Sequence, residues 1–134
     1  MMRIGFYGSD ADIDLWRAAL KTRLPSFEIA RLLDDAGQQC DVALVWAPPS
    51  GALSDCANLR GIIMQGQGVD HMMRDETVPR SVPLVRLVDR DMSNALSHWA
   101  ILCALDFWRD ADHYRTAQAD RRWDPRPQRP ATGG

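Results

Sequence analysis

The sequence predicts an α/β fold: an open parallel sheet of about five strands, with helices on both faces and a long C-terminal helix. Short apolar runs bounded by glycine or proline alternate with stretches of helical periodicity, which is typical of parallel sheets joined by crossover helices. The central runs are apolar throughout, which indicates strands covered on both faces. We therefore expect a doubly wound sheet with a flavodoxin-like strand order.

The first strand and the first helix follow directly from the N-terminal sequence. Residues 3–8 form a short apolar run closed by a glycine, which is typical of a buried strand. Ser9 then offers a hydroxyl that can cap a helix, and Asp12 supplies the carboxylate of a capping-box variant three residues later. Apolar residues recur at helical spacing as far as Leu24, and Pro25 ends the helix.

Four further strands are predicted downstream. They are the segments 27–30, 41–46, 59–65 and 83–88. The first of the four alternates apolar and polar residues and therefore suits an edge position. The second is continuously apolar and ends at Pro48–Pro49, as a central parallel strand would. A helical stretch from Val69 to Met73 follows the third.

One long helix is predicted from Met92 to about Ala119, with Asp91 or Ser93 as its N-cap. Its first part, residues 92–105, is 14 residues long and uncharged, which is short of the roughly 18 to 20 that a membrane span needs. We interpret it as a buried helix. Because it is apolar nearly all round, one sheet alone cannot cover it, and a second covering partner is expected.

The composition changes toward the C-terminus. From Arg115 onward, arginines and prolines replace the apolar pattern, and such a segment has no periodicity on which to fold. We therefore assign residues 1–119, including the long helix 92–119, to one flavodoxin-like domain and residues 120–134 to a linker.

Length, charge and cysteine content exclude several classes of function. The 134 residues carry 16 Lys and Arg against 18 Asp and Glu, so neither a nucleic acid nor an anionic membrane is an expected partner. Cys40, Cys56 and Cys103 form no C-x-x-C pair and are predicted to be free thiols in the cytoplasm. The apolar run at the N-terminus is too short for a signal peptide.

Two features are candidates for ligand binding. The loop Gly66-Gln67-Gly68 lies between a predicted strand and a helical stretch, where backbone N–H groups can bind a carboxylate or a phosphate; an ordinary tight turn is the alternative. Trp46 ends the predicted central strand. Because ligands of open α/β sheets bind beyond the carboxyl ends of the strands, it can face the same crevice, or it can serve packing alone.

The sequence offers no complete catalytic or metal-binding set. Asp70 and His71 are adjacent, and adjacent residues of a helix do not face each other. A metal site that adds Asp75 to this pair is disfavoured. His98 and His113 are too far apart on the long helix to share a site. We interpret all three histidines as solvated or interface residues.

Several strings, taken in order, resemble one family: the D-isomer-specific 2-hydroxyacid dehydrogenases, and within it the glyoxylate/hydroxypyruvate reductase A type. The strings are 41–46 with Pro48–Pro49, 66–70, 82–87 with Asp89, Met92 at the start of the long helix, and then Trp108-Arg109, Tyr114 and Trp123. The resemblance covers about residues 3–124. It favours an anion site over a simple turn at the glycine loop.

The resemblance implies a flavodoxin-like substrate domain joined to a Rossmann NAD(P)-binding domain, with the active site in the cleft between them. Members of the family reduce a 2-oxo acid such as glyoxylate or hydroxypyruvate with NADPH or NADH. In this chain the amides of Gln67 and Gly68 would hold the substrate carboxylate, and Gly66 would shape the loop. Trp46 and Met92 would line the apolar wall. The long helix resembles one that pairs two subunits into a homodimer.

The chain also departs from the family pattern. The catalytic arginine, glutamate and histidine of the family, and its G-x-G-x-x-G cofactor loop, lie in the second domain, which would begin soon after Trp123. We therefore interpret the chain as truncated in the linker, with no catalytic residue, no NAD(P) bound by the chain alone and no reductase activity. His98 stands where the family usually has a glutamate. The alternative is a stand-alone flavodoxin-like interaction or dimerisation module whose helix 92–119 recruits a partner.

Overall fold

A computed structural model describes residues 1–130. The chain divides into two units, of which the first is Met1–Val88 and the second begins at Asp89. The first unit contains β1 (Met2–Tyr7), α1 (Asp10–Lys21), β2 (Phe27–Arg31), α2 (Asp35–Gln38), β3 (Val42–Val45), β4 (Gly61–Met64), α3 (Asp70–Arg74) and β5 (Leu84–Arg86). The second contains α4 (Arg90–Trp108) and α5 (Ala111–Ala119).

The five strands form one parallel sheet in the order β2-β1-β3-β4-β5. This is the flavodoxin-like order, so the predicted fold class is confirmed. The order reverses between β1 and β3, which places the switch point of the sheet, and the crevice where ligands of such folds bind, at the carboxyl ends of these two strands.

Helices and loops cover both faces of the sheet. On β3, Leu44 packs with Ile13 of α1 on one face, whereas Ala43 and Val45 point to the other face, because successive side chains of a strand alternate. The cluster on that second face is Leu32, Cys40, Ala43, Val45, Leu53, Cys56, Ile62, Met64, Met72 and Val78. It includes Met72 of α3 and is the larger of the two clusters.

The predicted helix cap at Ser9 is confirmed. The Ser9 hydroxyl accepts a hydrogen bond from the Asp12 backbone N–H at 3.3 Å and donates one to the Asp12 carboxylate at 2.5 Å. In contrast, α2 was not predicted from the sequence. This helix is a single turn, too short for any periodicity, and it contains the buried Gly37.

The start of the long helix differs from the prediction. Asp89, rather than Asp91 or Ser93, is its N-cap. The Asp89 carboxylate accepts hydrogen bonds from the backbone N–H groups of Asp91 (2.9 Å) and Met92 (3.2 Å), which is the usual way to satisfy the unpaired donors of a first turn.

The prediction of one continuous helix over 92–119 is wrong. The helical segment breaks at Arg109 and Asp110, where Asp110 adopts a left-handed conformation with φ of 52°. Aspartate tolerates this conformation better than most residues. The predicted burial of residues 92–105 is also not found, because no residue of α4 is buried in the described chain. Within residues 1–130, no helix has the length and apolar character required to cross a membrane.

The segment after α5 contains no helix or strand over residues 120–130, yet it contacts α5. The Tyr114 hydroxyl accepts hydrogen bonds from the Arg126 backbone N–H (3.0 Å) and the Gln128 side chain (2.9 Å). These contacts hold the arginine-rich segment along the helix. The end of the predicted linker, residues 131–134, lies outside the described residues.

Candidate functional site

The carboxyl ends of β1, β3 and β4 meet at one edge of the sheet. Tyr7 pairs with Val45, and Val45 pairs with Met64. The next residues continue the ladder: the Trp46 N–H donates to the Tyr7 carbonyl, and the Gln65 N–H donates to the Val45 carbonyl, both at 3.0 Å. Trp46 and the glycine loop therefore leave the sheet side by side, at the edge where ligands bind in this class of fold.

The Gln65 side chain ties these three strands together. Its amide nitrogen donates to the carbonyl of Tyr7 (3.0 Å), the last residue of β1, and to that of Leu44 (3.3 Å), the penultimate residue of β3. In the sequence, Gln65 was predicted only as the last residue of the strand 59–65. A polar residue in that place was the signal that could have marked it as a bridge.

The two glycines of the loop have different roles. A Cβ atom at Gly66 would lie 2.1 Å from Cζ3 of Trp46, so the indole ring rests directly on the Gly66 backbone and only glycine permits this approach. At Gly68, a Cβ atom would meet nothing within 4 Å. The ring therefore closes one side of the loop, whereas the space beside the Cα atom of Gly68 is open.

Trp46 itself is held in an unusual local geometry. The following residue, Ala47, has φ of 44°, a left-handed conformation that costs a non-glycine residue about 1 to 2 kcal/mol. Despite its packing on Gly66, the side chain of Trp46 is 48% exposed. An apolar ring is thus held at the open edge of the sheet by a backbone that carries some strain, a combination frequent at binding sites.

His71 lies against Trp46, a contact that was not predicted from the sequence. The ring centroids are 5.3 Å apart and the planes meet at 68°, an edge-to-face arrangement that aromatic rings favour. The Nε2 atom of His71 is buried and has no hydrogen-bond partner among the described residues. The Nε2 atom is therefore not solvated, and the other part of the interpretation, that His71 is an interface residue, stays a prediction.

A polar cluster fixes the loop that follows Trp46. The Asp75 carboxylate accepts hydrogen bonds from the Ser50 hydroxyl (2.9 Å), the Thr77 hydroxyl (2.6 Å) and the Thr77 backbone N–H (2.9 Å). The Thr77 hydroxyl in turn accepts one from the Gly51 N–H at 2.8 Å. The hydrogen bonds from Thr77 lower the pKa of Asp75 below its usual value. Within residues 1–130, no group of three His, Cys, Asp or Glu side chains has metal-binding geometry.

Asp75→Asn is expected to lower the unfolding temperature near neutral pH, because the carboxylate is the better acceptor for its three donors. The folded pKa is depressed, so the carboxylate stabilises the fold above the unfolded value of about 3.9. That contribution is lost as the pH falls through the folded pKa. When thermal unfolding is measured across the acid range, the difference in unfolding temperature between the wild type and Asp75→Asn should disappear. Glu76→Gln, which removes the same charge from an exposed neighbour, is the control, and a difference independent of pH would contradict the prediction.

The predicted site residues fall in both units. Trp46, Gly66, Gln67 and Gly68 belong to the first unit, and the structure brings Trp46 and Gly66 into contact. Met92 belongs to the second unit, at the first turn of α4, with 47% of its surface exposed. Its place on the same wall as Trp46 stays a prediction.

The two cysteines of the first unit, Cys40 and Cys56, add no nucleophile to this edge. Cys40, Cys56 and Cys103 are free thiols, as predicted. Cys40 and Cys56 are buried in the larger core cluster, and burial raises the pKa of both, that of Cys56 to about 12. A thiol held protonated is a poor nucleophile.

Known proteins match most of this chain. No protein-family model matches the sequence. Glyoxylate/hydroxypyruvate reductase A of Yersinia enterocolitica is 34% identical over 129 residues, a match that spans 92% of this chain and 41% of the relative. The chain thus spans about two fifths of the length of the curated relatives it matches.

Solved structures agree with the sequence match. A D-isomer-specific 2-hydroxyacid dehydrogenase from Xanthobacter autotrophicus, in complex with NADPH and MES, superposes with a TM-score of 0.72 at 29% identity, over 96% of this chain and 42% of its own. The resemblance to the D-isomer-specific 2-hydroxyacid dehydrogenases is confirmed. An NADPH-dependent glyoxylate/hydroxypyruvate reductase from Sinorhizobium meliloti, in complex with NADP and sulfate, has a TM-score of 0.68 at 28% identity, over 96% of this chain and 41% of its own.

The turn after β1 does not fit the pyrophosphate of the dinucleotide that accompanies these 2-hydroxyacid dehydrogenases. A pyrophosphate needs open glycines at the turn between a strand and a helix. After β1, a Cβ atom at Gly8 would lie 2.8 Å from the Phe6 ring, and one at Gly5 would lie 2.8 Å from Leu32. Side chains thus occupy the space above both glycines. The turn after β1 offers no cradle for a pyrophosphate.

Proposed function

We propose that this chain is the substrate-binding domain of a 2-oxo acid reductase, and that its glycine loop binds the carboxylate of the substrate. The observation that carries the proposal is the pairing of the two glycines: Gly66 accommodates the Trp46 ring, while the backbone at Gly68 is open. An apolar wall beside backbone N–H groups suits a small organic acid.

The roles of the residues follow from this geometry. The N–H groups of Gln67 and Gly68 donate to the carboxylate, because hydrogen bonds to a charged oxygen are stronger than those to a neutral one. Trp46 excludes water from one side and so strengthens these bonds. Met92 is proposed to contribute a second apolar contact. The substrate class is a small 2-oxo or 2-hydroxy acid, in line with the names of the relatives.

An amide-resolved NMR titration of the chain with oxalate or glyoxylate tests the carboxylate site. We expect shifts concentrated at Gln67 and Gly68, together with the indole N–H of Trp46. Sodium chloride at equal ionic strength controls for general anion effects, and Gly61→Ala, where a Cβ atom meets nothing within 4 Å, is a matched variant outside the loop. Unchanged Gln67 and Gly68 amides at saturating oxalate would refute the site.

We further propose that the chain alone is inactive as a reductase. NADPH or NADH supplies the hydride in such a reaction, and the filled space above Gly5 and Gly8 supports a cofactor site outside this chain. Steady oxidation of NADPH with glyoxylate by the purified chain would contradict this. A cytoplasmic location belongs to the same proposal and is supported by the three free thiols.

A second candidate function is association through α4, favoured by its exposed apolar surface. The large apolar side chains of α4 that are exposed are Met92, Leu96, Trp99, Ile101, Leu102, Leu105, Phe107 and Trp108. Monomeric soluble proteins rarely expose so large a contiguous apolar surface. We propose a second copy of the chain as its partner, whether in an enzyme or in a stand-alone interaction module.

Light scattering at micromolar concentration tests this association. A dimer is expected, and Leu96→Glu should shift it toward monomer, whereas Asn94→Glu on the same helix controls for the added charge. A wild-type chain that is monomeric at these concentrations would refute the homodimer.

A further inference from the structure

His71 contacts Trp46 from a rigid position. It is the second residue of α3, and the next residue, Met72, is 2% exposed and anchored in the larger core cluster. The imidazole therefore meets the indole, with the ring centroids 5.3 Å apart, from an element that cannot easily move.

The buried nitrogen of His71 shows how this ring acts. Since Nε2 has no hydrogen-bond partner in the described chain, no bond from that atom holds the ring, and an apolar ring of similar shape would avoid the cost of an unpaired polar atom. The contact of His71 with Trp46 is thus one of ring against ring and not a hydrogen bond from Nε2. A phenyl group should reproduce it.

The indole has three constraints, each of a different kind. The backbone turns sharply at Ala47, with φ of 44°. The Gly66 backbone lies against the ring, and His71 meets it edge to face. Because Trp46 remains 48% exposed, the core does not enclose it. Without His71, the indole would lose one of these three constraints.

The geometry points to His71 as a positioning residue that holds Trp46 over the glycine loop and thereby sets the room left for an acid beside Gln67 and Gly68. This inference rests on the proposed carboxylate site and adds a determinant of its affinity. His71 does not touch the ligand; it acts through Trp46.

The test compares His71→Ala with His71→Phe in the 134-residue chain. The first readout is the indole N–H signal of Trp46, identified by its loss in Trp46→Phe. The second is the affinity for oxalate. His71→Ala should shift or broaden the indole signal and weaken oxalate binding about two- to ten-fold, the range expected for one aromatic edge contact. His71→Phe should restore both.

The outcomes test the role of His71 separately from the proposed carboxylate site. An indole signal unmoved in His71→Ala, or a His71→Phe chain that behaves like His71→Ala, overturns the positioning role. Equal oxalate affinity in the wild type and His71→Ala overturns the effect on binding. If the wild type binds no oxalate, the carboxylate site is wrong and the effect on affinity falls with it, while the indole signal still decides whether His71 positions Trp46.

Discussion

Gly37→Ala is expected to destabilise the first unit by about 3 kcal/mol or more, the upper part of the range for overpacked sites. A Cβ atom at Gly37 would lie 1.8 Å from the Arg31 carbonyl oxygen, 2.5 Å from its carbon and 2.7 Å from Cα of Leu32. All three are backbone atoms at the end of β2, so no side-chain rotation can relieve the overlap. The α2 turn must separate from the sheet.

Urea or thermal unfolding of Gly37→Ala measures this cost. Gly61→Ala is the matched control, because the same methyl group there meets nothing within 4 Å and should change the free energy of unfolding by about 0.5 kcal/mol or less. A Gly37→Ala chain that fails to fold agrees with the expectation. A folded Gly37→Ala chain with the same midpoint as Gly61→Ala would contradict it.

Gly37 also illustrates which parts of the fold the sequence could predict. The strands and α1 were predictable because each shows a local pattern of apolar residues. The Ser9 cap was predictable because its partner, Asp12, lies three residues away. The α2 turn has no periodicity, and its glycine is required by a contact with β2. The break at Asp110 escaped prediction because neither Arg109 nor Asp110 is a glycine or a proline.

The candidate site, like the fold, was predictable only in part. The adjacency of Trp46 and the glycine loop was predictable, since consecutive parallel strands end at the same edge. The partners of Gln65 and His71 were not, because each lies far away in the sequence: Tyr7 for Gln65 and Trp46 for His71. Local sequence patterns predict neither a side-chain hydrogen bond between strands nor a contact between two aromatic rings.

Gly66→Ala is expected to displace Trp46 and to weaken oxalate binding at least about ten-fold, with a modest loss of stability of about 1 kcal/mol. A Cβ atom at this position would lie within 2.1 to 2.9 Å of three atoms of the indole ring. In contrast to Gly37, the obstacle is a half-exposed side chain, which can rotate away. The fold should therefore survive while the wall of the site is lost. The indole N–H signal of Trp46 and the oxalate titration measure the two effects.

A double-mutant cycle with Trp46→Ala identifies the cause of any loss in Gly66→Ala. If the added methyl group acts by striking the indole, its cost in stability should disappear in the Trp46→Ala background, so the two changes should be strongly non-additive. If it acts on the loop backbone itself, the costs should add. Additive costs would mean that Gly66 is required for the conformation of the loop and not for the approach of Trp46, and the packing of ring on glycine would no longer support the carboxylate site.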